Sequence, residues 1–181
     1  MQQLMLLEEL ASAGAPDLPM QGLTHIGPLL IKLGTEEQKR KHLPKILSGE
    51  AIWAQGYSEP GTGSDLASLR TRGTLEGGEL VINGQKTWNS GAQHAHWLYA
   101  LVRTGEGRTR RDGITFVTMP ADAPGITRRP IRTLAGEEEL CEIFFDDARV
   151  PLENVVGQIG AGWSVGNTLL ALWLFERFGL S

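Results

Sequence analysis

The chain has 181 residues, 41% hydrophobic and 21% charged, with a formal net charge of −4. Such a composition suits one folded domain or slightly more and excludes a disordered chain. An acidic balance without a concentrated basic face argues against nucleic acid, and the single cysteine, Cys141, allows no internal disulfide and fits a reducing compartment.

The amino-terminal MQQLMLLEEL carries acids where a secretory signal needs Lys or Arg. The longest apolar run, Leu169 to Phe175, is far shorter than the ~18 residues that suggest a membrane span. The expectation is a soluble, cytoplasmic protein without a membrane span.

Three zones follow in chain order. The first, residues 1–50, reads as helical. Leu4, Leu7 and Leu10 recur at helical spacing over Met1–Ala13, and the stretch from Ala15 to Pro19 breaks the pattern. Leu23–Leu33 predicts a second helix, with Gly34 as a left-handed cap. Thr35-Glu36-Glu37-Gln38 has the form of a capping box opening a third helix, which Pro44 should bend.

The second zone, residues 51–156, changes period. Glu79–Trp88 reads as a hairpin turning at Asn83-Gly84. Trp97–Val102 and Ile114–Met119 predict two strands joined by the charged loop Gly105–Gly113. Ile126–Ile131 and Glu142–Phe145 predict two more. Short strands without intervening helices suggest an antiparallel barrel or sandwich, so the fold class is α+β. The third zone, residues 157–181, begins loosely at Gly157. It then becomes apolar almost all round from Leu169 to Phe178, as in a helix buried on every side.

Two stretches carry chemistry. Tyr57-Ser58-Glu59-Pro60-Gly61-Thr62-Gly63-Ser64 combines three hydroxyls with glycines that permit close backbone approach to something flat or anionic. It lacks the third glycine of a dinucleotide fingerprint, and by itself it reads equally as a polar turn. Lys86-Thr87-Trp88-Asn89-Ser90-Gly91 is the second. Strand alternation puts Trp88 and Ser90 on one side, where an indole and a hydroxyl suit a planar heterocycle with a ring nitrogen. His94 and His96 could share a face, but no third metal ligand is evident. Arg128, Arg129 and Arg132 suit either an anionic phosphate or a solvated strand edge. His25 and His42 read as satisfied helix histidines, and Glu59 as structural.

These blocks, with Gly125-Ile126-Thr127, Phe144-Phe145-Asp146-Asp147-Ala148-Arg149-Val150-Pro151, Asn154 and Gly34-Thr35-Glu36-Glu37-Gln38-Lys39, resemble the acyl-CoA dehydrogenase family. The resemblance spans nearly the whole chain, in order. It implies a helical N-terminal domain (1–50), a β-barrel middle domain holding FAD (51–156) and the first helix of a C-terminal helical domain (157–181), with both ends cut short. It further implies that Gln55, Tyr57, Ser58, Gly63, Ser64, Trp88, Asn89 and Ser90 bind the cofactor. Ser58 would lie at the pyrimidine edge, Trp88 beside the tricyclic ring and Ser90 at N5. Ser64 and Arg177 would meet the substrate.

The implied reaction is α,β-dehydrogenation of an acyl-CoA thioester. An electron-transfer flavoprotein is the implied acceptor, and a homo- or hetero-oligomer the implied assembly. For Glu176 two readings stand: the base that removes the α-proton, or a helix carboxylate paired locally with Arg177. Two further readings of the chain also stand. One is a non-catalytic flavin- or acyl-CoA-binding subunit that needs a full-length partner. The other is a barrel module for an unrelated ligand such as single-stranded nucleic acid, against which the acidic balance argues.

Overall fold

The structure is a computed structural model describing residues 2–15 and 19–178, with the side chains of residues 2–4, 6, 7 and 176–178 outside the description. Helix α1 runs Gln2–Ser12. The predicted break falls largely on residues 16–18, outside the described residues. The second helix begins as a π-helical turn, Gln21–Ile26, and continues as α2, Gly27–Leu33. The wide turn has a local cause: the Gly27 amide reaches back to Gly22 O, just before Pro28, which has no amide to offer.

Gly34 is extended, with φ −70° and ψ 151°, rather than a left-handed cap. Helix α3, Glu36–Leu47, opens on the predicted capping box: Thr35 Oγ1 accepts from the Gln38 amide, and Gln38 Oε1 accepts from the Thr35 amide. The helix continues through Pro44. Gln38 also donates its Nε2 to the carbonyls of Glu153 and Val155, at 2.8 and 2.9 Å, so the cap ties α3 to the far end of the chain.

Seven strands follow: β1 Trp53–Gly56, β2 Arg72–Glu76, β3 Glu79–Ser90, β4 Trp97–Arg103, β5 Ile114–Pro120, β6 Ile126–Ile131 and β7 Leu140–Pro151. Helix α4, Gly162–Phe178, closes the described chain. The strands form one curled sheet of order β1-β4-β2-β3-β7-β6, with β5 on β4. The expected antiparallel barrel is corrected to a mixed sheet. β1 runs parallel to β4 and β2 meets β4 in parallel, while β2–β3, β3–β7, β4–β5 and β6–β7 are antiparallel.

The hairpin is also relocated. It turns at Gly77-Gly78, both at positive φ, between β2 and β3. Asn83-Gly84 instead lies inside a continuous β3, where the register against β7 shifts. The extra residue belongs to β7, where Asp147 has φ 48° and exchanges side-chain and backbone hydrogen bonds with the Asn83 amide. Gly84 has no side chain because a Cβ there would stand 2.8 Å from Thr71 Cα.

Alternation along β4 shows how the sheet is used. Leu98, Ala100 and Val102 fill the hollow of the curl with Leu80, Ile82, Val117, Ile143 and Val150. Tyr99 and Leu101 face the helices, packing with Leu29, Leu30, Trp53, Tyr57, Phe116, Val165 and Leu169. β4 is therefore buried on both faces, which explains its unbroken apolar sequence. Along α4, Val165 and Leu169 are buried, but Leu170, Leu174 and Phe175 are exposed in this chain, so the helix is not covered all round as expected.

Candidate functional site

The two stretches singled out in the sequence are in direct contact. The Glu59 and Thr62 backbones exchange hydrogen bonds of 2.7 and 2.9 Å and close the Ser58–Ser64 turn on itself. The Thr87 amide donates to Ser58 O at 2.9 Å, joining the turn to β3 just before Trp88.

Beneath this junction lies a buried ion pair. Lys86 is fully buried and Glu59 only 7% exposed; Lys86 Nζ donates to Glu59 Oε1 at 2.9 Å and to Tyr57 O at 3.0 Å. Glu59 also accepts the amides of Arg70 and Thr71, at 2.7 and 2.8 Å. Burial pushes the Glu59 carboxyl upward, but Lys86 and these donors outweigh it and leave it below its ordinary value. Burial pushes Lys86 down to about 8 against the pull of Glu59. Glu59 is structural, as its sequence context suggested.

Past Lys86 the register slips. Lys86 pairs with Ile143 but Asn89 with Cys141, leaving one extra residue in β3. Trp88 takes up the bulge at φ 61°, a rare conformation for a bulky side chain, and its indole is 61% exposed. Ser90 is exposed on the same strand, and Ser64 is exposed at the end of the turn. Among the described residues none engages the hydroxyls of Ser58, Ser64 or Ser90.

The side chains of Asn89 and Tyr57 face the protein interior. Asn89 is buried and gives its Nδ2 to Cys141 O at 2.9 Å, so its side chain holds the bulge rather than facing a ligand. Tyr57 points into the core, edge-on to Tyr99 and Phe116, with its hydroxyl against Gly166 of α4 and beside the Gln55 side chain. Its burial pushes the phenol far above its ordinary pKa. Gln55 is half-buried, with its Nε2 buried and its side chain beside the Tyr57 hydroxyl. Gly63 is exposed in the turn. Glu176 and Arg177 belong to α4, but their side chains lie outside the described residues.

Sequence reasoning named Lys86, Thr87 and Arg128 without finding the structural parts they play. Lys86 has the parity of the inward-facing Leu80 and Ile82, which could have marked it as buried. Arg128 is neither a solvated edge nor free for phosphate: its Nη1 donates to the carbonyls of Ala92, Gln93 and Ala95, bracing the turn that follows Ser90. His96 Nδ1 accepts the Ile52 amide, and among the described residues no three His, Cys, Asp or Glu side chains are grouped to hold a metal ion. His42 is buried between Trp53 and Trp97 with Nε2 unpartnered, not satisfied as expected.

A cavity of about 310 Å³ lies beside the turn, bounded by Glu59, Thr62, Arg70 and Gln85. A larger one of about 710 Å³ lies between Asp65 and the loop carrying Arg108 and Arg110. Neither includes Trp88 or Ser90, which stand on open surface. No described helix is long and apolar enough to cross a membrane.

Residues 1–50 match the acyl-CoA dehydrogenase N-terminal domain and residues 54–148 the middle domain. The chain is 46% identical over 171 residues to acyl-CoA dehydrogenase IpdE1 of Mycobacterium tuberculosis (strain ATCC 25618 / H37Rv), covering 94% of this chain and 44% of that protein. It therefore spans a little under half the length of that relative.

Among solved structures, it is similar to the Tcur3481-Tcur3483 steroid ACAD G363A variant, with TM-score 0.88, 42% identity, and 98% of this chain and 46% of that one covered. It is also similar to the ChsE4-ChsE5 complex from Mycobacterium tuberculosis, with TM-score 0.84, 39% identity, and coverage of 94% and 44%. A glutaryl-CoA dehydrogenase from Mycobacterium smegmatis in complex with FADH2 matches with TM-score 0.72, 29% identity, and coverage of 84% and 38%. With its N-terminal and middle segments both matched and a curated relative this similar, the chain belongs to the acyl-CoA dehydrogenase family.

Proposed function

We propose that this chain takes part in FAD-dependent α,β-dehydrogenation of an acyl-CoA thioester. The observation that carries the reading is the Trp88 indole, turned outward by a bulge and tied through Thr87 to Ser58, with the Ser58 and Ser90 hydroxyls unengaged beside it. An exposed aromatic face flanked by free donors fits a flat heterocycle. A neighbour of the same fold in complex with FADH2 supports FAD.

When bound, FAD would accept the hydride that leaves the substrate Cβ. The chain's own residues have distinct parts. Trp88 stacks beside the ring, and Ser58 and Ser90 offer hydrogen bonds to its edges. Gly63 lets the turn approach, and Ser64 reaches toward the acyl-CoA. Gln55 lies on the strand that leads into the turn and offers its side-chain amide. Glu176 removes the α-proton, and Arg177 lies on the substrate side. The division 1–50, 51–156 and 157–181 is part of this reading. An electron-transfer flavoprotein is the acceptor we propose, and the cytoplasm the location, since charged acyl-CoA does not cross membranes unaided.

A second reading is a non-catalytic flavin- or acyl-CoA-binding subunit of an oligomer. The ChsE4-ChsE5 complex among the neighbours and the open surface around Trp88 favour it. One experiment separates the two. The chain is purified with any subunit that accompanies it, supplied with FAD, and mixed anaerobically with straight-chain and steroid-linked acyl-CoA, the latter because a neighbour is named a steroid ACAD. Yellow protein bleached by a thioester, with the bleaching slowed by Glu176→Gln in this chain, supports the dehydrogenase. Yellow protein that no thioester bleaches, or that bleaches equally with Glu176→Gln, supports the binding subunit. Folded protein that takes up neither flavin nor acyl-CoA overturns both.

A further inference from the structure

We infer that Lys86 and Glu59 are positioning residues that hold the Trp88 bulge in register with the Ser58–Ser64 turn and so set the shape of the proposed flavin face. This rests on the reading of that face as a flavin site.

The argument is geometric. The two walls of the face come from distant parts of the sequence, and their backbones share one direct bond, Thr87 N to Ser58 O. A single backbone bond leaves the turn free to hinge about it. The ion pair removes that freedom. Lys86 reaches under the turn and donates both to Tyr57 O and to Glu59, the residues on either side of Ser58. The Glu59 carboxylate in turn accepts the Arg70 and Thr71 amides, anchoring the chain where it leaves the turn. Four contacts therefore converge on one buried point directly below Ser58 and two residues before Trp88.

The surroundings are shaped for this reach. Gly56 has no side chain, and a Cβ there would meet Lys86 Cγ at 3.5 Å and Ala100 Cβ at 3.3 Å, so the lysine stem passes where a larger residue would crowd it. A buried ion pair adds little net stability over an apolar pair of similar size. Its directional, charge-assisted bonds do fix geometry. That distinction makes positioning separable from stability.

The test incorporates 5-fluorotryptophan and follows the Trp88 resonance, assigned with Trp88→Phe, beside FAD affinity by fluorescence. The double variant Lys86→Met/Glu59→Gln removes both charges, so no unpaired charge is left buried. Glu59→Asp keeps the charges and shortens the arm by one methylene. Val102→Ala, in the hollow of the sheet, serves as a control of lowered stability alone. The expected result is a shifted or split Trp88 resonance in both variants, with FAD affinity weakened by about tenfold or more in the double variant and less in Glu59→Asp. The control should show neither change. An unmoved Trp88 resonance in folded Glu59→Asp, or a control that moves it equally, overturns the inference. Failure of the flavin reading is distinct: the parent protein would bind no FAD, while the Trp88 resonance would still report whether the clamp holds.

Discussion

Asn89 gives its side-chain amide to the carbonyl of Cys141 directly across the bulge that turns Trp88 outward, at 2.9 Å and out of reach of water. Asn89 supplies that buried carbonyl with a side-chain donor at the register slip. Replacing Asn89 with Leu keeps the bulk but removes this donor from a buried acceptor. We expect a loss of roughly 1–3 kcal/mol in urea unfolding, together with weaker flavin binding. A variant as stable as the parent would show that the bulge closes on its own.

Trp88 makes the opposite prediction for stability. Its indole is largely exposed, so removing it costs little burial, while its φ of 61° is one that glycine adopts freely. Trp88→Gly should be more stable than Trp88→Ala by about 1 kcal/mol, because alanine keeps the strained conformation. Both should lose flavin affinity by about tenfold or more. Equal stability of the two variants would mean that the strand relaxes out of the bulge once the indole is gone.

These two residues show what the sequence could and could not reveal. Alternation put Trp88 and Ser90 on one side, and both are exposed in the structure, with Trp88 itself taking up the bulge. The same bulge hides the reason for Asn89, since a side chain serving a carbonyl 52 positions away leaves no local mark. The capping box at Thr35 was legible because all its partners lie within one turn. The Asn83-Gly84 hairpin was misplaced because Gly77-Gly78 offers equal turn chemistry, and only the long-range pairing of β3 with β7 decides between them. β2 escaped notice with the misplaced turn, because its antiparallel partner β3 was read as folding back at Asn83-Gly84. β1 pairs in parallel with β4, a relation between segments and not a local pattern.

His42 links the helices to solution pH. Its ring is packed edge-on against Trp53 and Trp97, and burial, aided by Lys41 and Lys45, pushes it down to about 4. A histidine depressed in the folded state binds its proton more readily when unfolded. The stability linked to it is therefore complete above the ordinary value near 6.5 and is lost as pH falls from there toward 4. The slope within that window is at most about 1.4 kcal/mol per pH unit. Urea unfolding of the parent and of His42→Phe, compared from pH 7.5 to 4.5, should show the parent losing stability faster. Parallel curves would mean that α3 lifts from the sheet and admits water to the ring.

In the dehydrogenase reading proposed above, catalysis by this chain turns on Glu176. It lies in α4, and the family resemblance makes it either the base or a carboxylate paired within the helix. A general base typically contributes ~100- to 10,000-fold to rate, and an amide in its place can neither take the α-proton nor hold a charge. Glu176→Gln should therefore leave flavin uptake and unfolding almost unchanged and slow thioester-dependent bleaching by at least about 100-fold, with the loss in kcat rather than in binding. A carboxylate that served only Arg177 would give another signature: a small fall in helix stability and bleaching at the parental rate. Bleaching that persists at that rate would remove Glu176 from the mechanism and assign the base to another polypeptide segment, as the binding-subunit reading requires.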